Sequence, residues 1–141
     1  MAEVRPLRTT LLQRSVADYD TTRAVEVLSS FNRFLIEVVS RYEGNIRVIA
    51  DCDRKSNDLL HFIELREDMN AAEGYKAYRK LTDVRRERRV CKNENELLNA
   101  VYTFIQQNPR FVSELNSVTG KTRAAKDSIE RKIYSARTDV I

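Results

Sequence analysis

The sequence predicts an all-α fold: a long helical hairpin, a third long helix packed on it, and short C-terminal helices. Three observations carry that prediction. Apolar residues recur at alternating steps of three and four, the pattern of packed helices. The 141 residues include only 3 glycines and 2 prolines, too few for the tight turns of a sandwich or barrel. Hydrophobic residues make up 42% and charged residues 33%, which supplies a core and demands a heavily ionic surface. The length suits one domain, read as residues 18–141 behind a basic arm over residues 1–17.

In the arm, Arg5, Arg8 and Arg14 alternate with leucines and threonines, opposed only by Glu3. Such an arm orders against a partner subunit or nucleic acid, or frays. Asp18, Asp20, Thr21 and Thr22 then offer N-cap chemistry. Ala24, Leu28, Phe31, Leu35, Val38 and Tyr42 follow in helical seam spacing, predicting a first helix over about 20–43. Its long seam exceeds what one thin bundle needs, so Leu28, Phe31, Leu35 and Val38 are the expected oligomer interface, making the chain a homo-oligomer.

Gly44 is read as the left-handed residue ending that helix. A second helix over about 46–68 carries Ile49, Cys52, Leu59 and Ile63, and the short Gly44-Asn45 connection implies an antiparallel pair. Asn70 with Glu73 has capping-box spacing and opens a third helix. It is expected to run past Cys91, with a kink or break at the polar stretch 92–96, to Asn108-Pro109. Pro109 is read as the first position of a short helix bearing Phe111, Val112 and Leu115. Thr119-Gly120 is expected to break that helix before a last one over about 122–137.

Cys52 and Cys91 form neither a disulfide framework nor a zinc motif, and both lie on apolar stripes. A reducing cytoplasm is therefore the expected compartment. No apolar run is long enough for a signal peptide or membrane span.

Net charge is +4, but its distribution is uneven. Residues 79–92 carry seven basic and two acidic side chains, whereas residues 51–68 carry three basic and six acidic. On a helix Arg85, Arg88, Arg89 and Lys92 share a face, with Arg86 about 100° away. Clustered guanidiniums suit phosphates, because each presents a planar fork matched to two oxygens. Tyr75 and Tyr78 upstream could stack on bases. The alternative is a solvated face paired with acids of the second helix. Gly74 permits a close approach, and Asn70, Gly74, Tyr75 and Lys76 at the helix N-terminus form a candidate anion site; a helix crossing at Gly74 is the other reading.

Other signals are thin. His61 and Glu64 stand at the spacing of a metal pair, but no second such pair exists in the chain, so no metal or cofactor is expected. Gly120-Lys121-Thr122 ends like a phosphate loop, yet the first glycine would fall at Leu115.

The segments Asp58–Leu65, Asn70–Lys76 and Arg88–Lys92 together resemble small helical accessory proteins of Gram-positive phages and prophages, with Cys91 the odd residue. The resemblance covers about a third of the chain. It implies a viral accessory factor of host takeover or anti-defence. The reading is a non-enzymatic protein binding a phosphate-bearing ligand, nucleic acid or a sequestered nucleotide, through Gly74, Tyr75, Lys76, Tyr78, Arg85, Arg86, Arg88, Arg89 and Lys92. One alternative is a helical protein–protein module, structural or inhibitory, acting on a host or virion protein. Another is a metal-dependent nucleotide hydrolase centred on His61, Glu64 and Glu67.

Overall fold

The seam at Leu35 keeps its three-four register through Val38, Tyr42, Asn45, Ile49, Cys52, Ser56 and Leu59, all buried or half-buried. A computed structural model, which describes residues 22–138, accordingly shows a single helix where two were expected. Helix α1 spans Arg23–Leu65, α2 spans Ala71–Gln107 and α3 spans Phe111–Thr138. The described residues contain no strand, and the fold is all-α. The arm and the caps at Asp18, Asp20 and Thr21 lie outside the described residues.

The expected turn at Gly44 is corrected. Gly44 is helical, and no described glycine takes a positive φ. A glycine inside a helix costs about 1 kcal/mol against alanine. Burying one leucine or valine returns about 1.5–3 kcal/mol, and Leu35 and Val38 are each only 2% exposed. The seam therefore outweighs the weak local breaker. Those two side chains are spent inside the chain rather than presented to another copy; Leu28 is half-buried and Phe31 stays exposed.

The hairpin turn lies at residues 66–70 instead. Asn70 caps α2 as its spacing predicts, its Oδ1 accepting from the Glu73 backbone N–H at 2.8 Å. Glu73 also pairs with Arg66 across the turn. Further along, Asp53 meets Arg88, Asn45 meets Asn95 and Tyr42 stacks on Tyr102 with centroids 3.9 Å apart. Partner numbers fall on α2 as they rise on α1, so the two helices are antiparallel. Cys52 lies buried in this seam, and Ser56 is buried with its hydroxyl unpartnered.

Helix α2 crosses residues 92–96 unbroken because Glu94 and Asn95 turn their polarity toward α1. Asn108 ends it, donating its side-chain amide to the Phe104 carbonyl at 2.9 Å. Pro109 falls two residues ahead of α3 rather than within its first turn. The break expected at Thr119-Gly120 is also absent, since α3 passes through both.

The chain divides into two compact units. One comprises Arg33–Ser113, which includes nearly all of the hairpin. The other joins α1 through Asn32 with α3 from Glu114 onward. In the latter, buried Asn32 donates to Thr119 Oγ1 at 2.9 Å, and Thr119 donates to the Leu115 carbonyl at 2.7 Å. Arg123 donates to Ser29 Oγ at 3.0 Å. This hydrogen-bonding role explains why Thr119 belongs inside a helix. None of the described helices is long and apolar enough to cross a membrane.

Candidate functional site

The α2 residues facing α1 are Ala77, Leu81, Val84, Arg88, Cys91, Asn95, Leu98, Tyr102 and Ile105, again at three-four steps. This register fixes where every other side chain of α2 points. Three neighbouring columns at seven-residue spacing lie away from the seam: Tyr75–Thr82–Arg89, Tyr78–Arg85–Lys92 and Arg79–Arg86–Asn93. At 100° per residue they occupy about 140° of arc. All nine residues are exposed except half-buried Thr82.

The face holds five cations, two tyrosines and no acid. Between residues 73 and 94 the acids, Glu73, Asp83, Glu87 and Glu94, fall on the two columns beyond its far edge, and exposed Glu96 continues the Tyr75–Thr82–Arg89 column just past the C-terminal end of the face. Such segregation does not follow from the composition of residues 79–92, where acids and bases are interleaved in sequence.

The structure redraws the expected cluster at two positions. Arg88 does not belong to the face. It sits in the seam at 22% side-chain exposure, its Nε donating to Asp53 Oδ1 at 2.7 Å. Pairing with an α1 acid therefore describes Arg88. Arg79, absent from the expected set, joins the face seven residues before Arg86, and its Nη1 donates to the Tyr75 hydroxyl at 3.3 Å. The spacing signal for Arg79 was present in the sequence, but only the seam register reveals it.

The proposed anion site at the start of α2 does not assemble. Asn70 already caps the Glu73 amide, and the Glu73 carboxylate occupies the same turn. Tyr75 and Lys76 diverge by the 100° between helical neighbours. Tyr75 joins the basic face, whereas Lys76 lines a groove of about 340 Å³ with Leu59, Phe62, Arg66, Glu73 and Lys80. Gly74 needs no special freedom: a methyl group there would meet only Met69 Sδ, at 3.8 Å.

Electrostatics elsewhere in the hairpin is local. Arg41 donates two hydrogen bonds of 2.8 Å to Glu94, and Asn45 adds a third at 2.9 Å. Hydrogen bonding from Arg41, then from Asn45, holds the Glu94 carboxyl down to about 2. Burial pushes the thiols of Cys52 and Cys91 up, with the Glu87 charge adding to the effect. His61 Nδ1 lies 3.7 Å from Glu64 Oε2, both exposed. Among the described residues no three His, Cys, Asp or Glu side chains converge as a metal site would require.

Compared with known protein families, curated proteins and solved structures, the chain matches none of them.

Proposed function

We propose that this protein is a non-enzymatic binding module that engages a phosphate-bearing ligand through the exposed face of α2. Arg79, Arg85, Arg86, Arg89 and Lys92 supply charge, and Tyr75 and Tyr78 supply flat apolar surface at one end. The observation that carries the reading is the absence of any acid from this face between Tyr75 and Asn93, while the acids of the same stretch stand on the neighbouring columns. Arg85–Arg89, Arg86–Arg89 and Arg89–Lys92 stand at helical i,i+3 or i,i+4 spacing. Like-charged pairs at that spacing weaken a helix by about 0.2–0.5 kcal/mol each. A helix that concentrates this repulsion on one face gains from an anion that relieves it. Guanidiniums are matched to phosphate oxygens, two at a time. The biological setting, a phage accessory factor of host takeover or anti-defence, rests on the resemblance of Asp58–Lys92 alone.

Charge-matched variants test this. Arg85→Ala/Arg86→Ala/Arg89→Ala is expected to abolish binding of a labelled oligonucleotide or nucleotide, by fluorescence anisotropy. Arg33→Ala/Arg47→Ala/Arg54→Ala, which removes equal charge from α1, is expected to leave most of it. Equal losses would mean that net charge, not this face, is responsible.

A second reading has its own observation. Val90, Leu97 and Phe104 form an exposed stripe at seven-residue spacing on α2, with Leu97 80% exposed. Seven-residue apolar spacing suits another helix. It favours a protein–protein module, with a second copy or a host or virion protein as partner. Light scattering of the wild type and of Leu97→Asp separates the readings: an oligomer dissolved by Leu97→Asp supports the second.

A further inference from the structure

Resting on that reading of the α2 face, we infer that its ligand is a single-stranded nucleic acid chain rather than a mononucleotide or a duplex. Three features lead there.

The first is extent. Arg79 and Lys92 are thirteen residues apart, about 20 Å at 1.5 Å per residue, and the tyrosines extend the face by a further turn. A mononucleotide presents its phosphate to neighbouring cations at one level and leaves the others repelling one another. A chain of phosphates runs past all five.

The second is enclosure. A helix that reads duplex bases must enter the major groove, about 12 Å wide, with a body of about 10–12 Å. A packed helix enters only where its neighbour lies behind it or crosses it, as in helix-turn-helix readers. Here α1 runs antiparallel alongside α2, and Arg88 is tied to Asp53 on that side. Side by side the pair is broader than the groove, which favours a surface track over deep insertion.

The third is the rings. Tyr75 and Tyr78 are 61% and 63% exposed, on the same face as the arginines. Paired bases hide their faces inside the duplex, whereas unpaired bases stack on such rings. Arg79 Nη1 on the Tyr75 hydroxyl links the two parts of the track.

The test compares a twelve-residue oligothymidylate, a twelve-base-pair duplex and thymidine monophosphate by fluorescence anisotropy and competition, across salt. The oligothymidylate is expected to bind at least about a hundredfold tighter than the monophosphate. Neutralising five phosphates predicts a log–log salt slope of about −3.5, at about −0.7 per phosphate on a single strand. Tyr75→Ser and Tyr78→Ser should each weaken it at least about fivefold and leave duplex binding unchanged. Both rings are exposed, so helical circular dichroism should match the wild type.

Monophosphate binding as tight as oligothymidylate binding would overturn this inference and leave the phosphate-binding reading standing. So would duplex binding at equal affinity with indifferent tyrosine variants. Failure of all three probes at low salt would overturn both.

Discussion

Asn45 and Asn95 meet across the hairpin seam, the Asn45 side-chain amide donating to Asn95 Oδ1 at 2.9 Å. The same amide reaches Glu94 Oε1 at 2.9 Å, and Asn95 Nδ2 donates to the Tyr42 carbonyl at 3.2 Å. A polar layer among apolar ones fixes which residues of α1 and α2 stand opposite each other, because any slip strands these amides without partners. That register also sets which side chains of α2 face outward. Replacing Asn45 or Asn95 alone by leucine should cost about 1–2 kcal/mol, the cost of orphaning a half-buried amide. The double replacement should cost less than the sum by at least about 0.5 kcal/mol, in a urea-denaturation cycle. Strict additivity would show that the two amides do not interact.

Gly44 adjoins this layer inside α1, and a methyl group there would touch nothing within 4 Å. Gly120 in α3 is equally open. Gly44→Ala and Gly120→Ala should therefore each raise stability by about 0.5–1 kcal/mol, through helix propensity and a less flexible unfolded chain. Were Gly44 a left-handed turn residue, alanine would destabilise the protein, and the denaturation midpoint would move the opposite way.

Glu94 governs an acid-sensitive part of stability. Its carboxyl stands near 2 in the fold against an ordinary 4.5, because Arg41 and Asn45 bond its charged form. A depressed pKa stabilises the fold above the unfolded value and stops doing so as pH falls through the folded one. This contribution is complete above about 4.5 and disappears on descent toward 2. Urea midpoints of the wild type should fall more steeply across that window than those of Glu94→Gln. Parallel curves would mean that the Arg41 pairing does not persist in solution.

Arg88 and Arg86 are two residues apart yet should behave oppositely. Arg88→Ala removes the Asp53 pair and should cost about 0.5–1 kcal/mol of stability, with oligonucleotide affinity changed less than about twofold. Arg86→Ala should leave the denaturation midpoint in place and weaken binding several-fold. Equal effects on affinity would return Arg88 to the binding face.

Legibility in the sequence followed the range of the forces involved. Helix α2 could be read from Asn70 to Asn108 because both caps are local chemistry. The hairpin turn lies at residues 66–70 and not at Gly44 because the glycine is a local signal of about 1 kcal/mol, whereas the seam that overrides it draws on a partner helix about fifty residues away. The continuous register from Leu35 to Leu59 was visible, and carried more weight than the glycine inside it. At the site, the density of arginine was plain from residues 79–92. The place of Arg88 was not, since an arginine occupies a seam position only where another helix offers a carboxylate such as Asp53. Once the seam is known, Arg79 follows from simple spacing.

The most direct test of the account is a backbone-amide NMR titration of the full chain with oligothymidylate. It predicts shifts concentrated on α2 between Tyr75 and Asn93, strongest at Tyr75, Arg79, Arg86 and Arg89, with α3 and the α1 wall of the groove at Leu59, Phe62 and Arg66 unchanged. Saturable shifts centred on α3 or on that groove, with the α2 face silent, would contradict it.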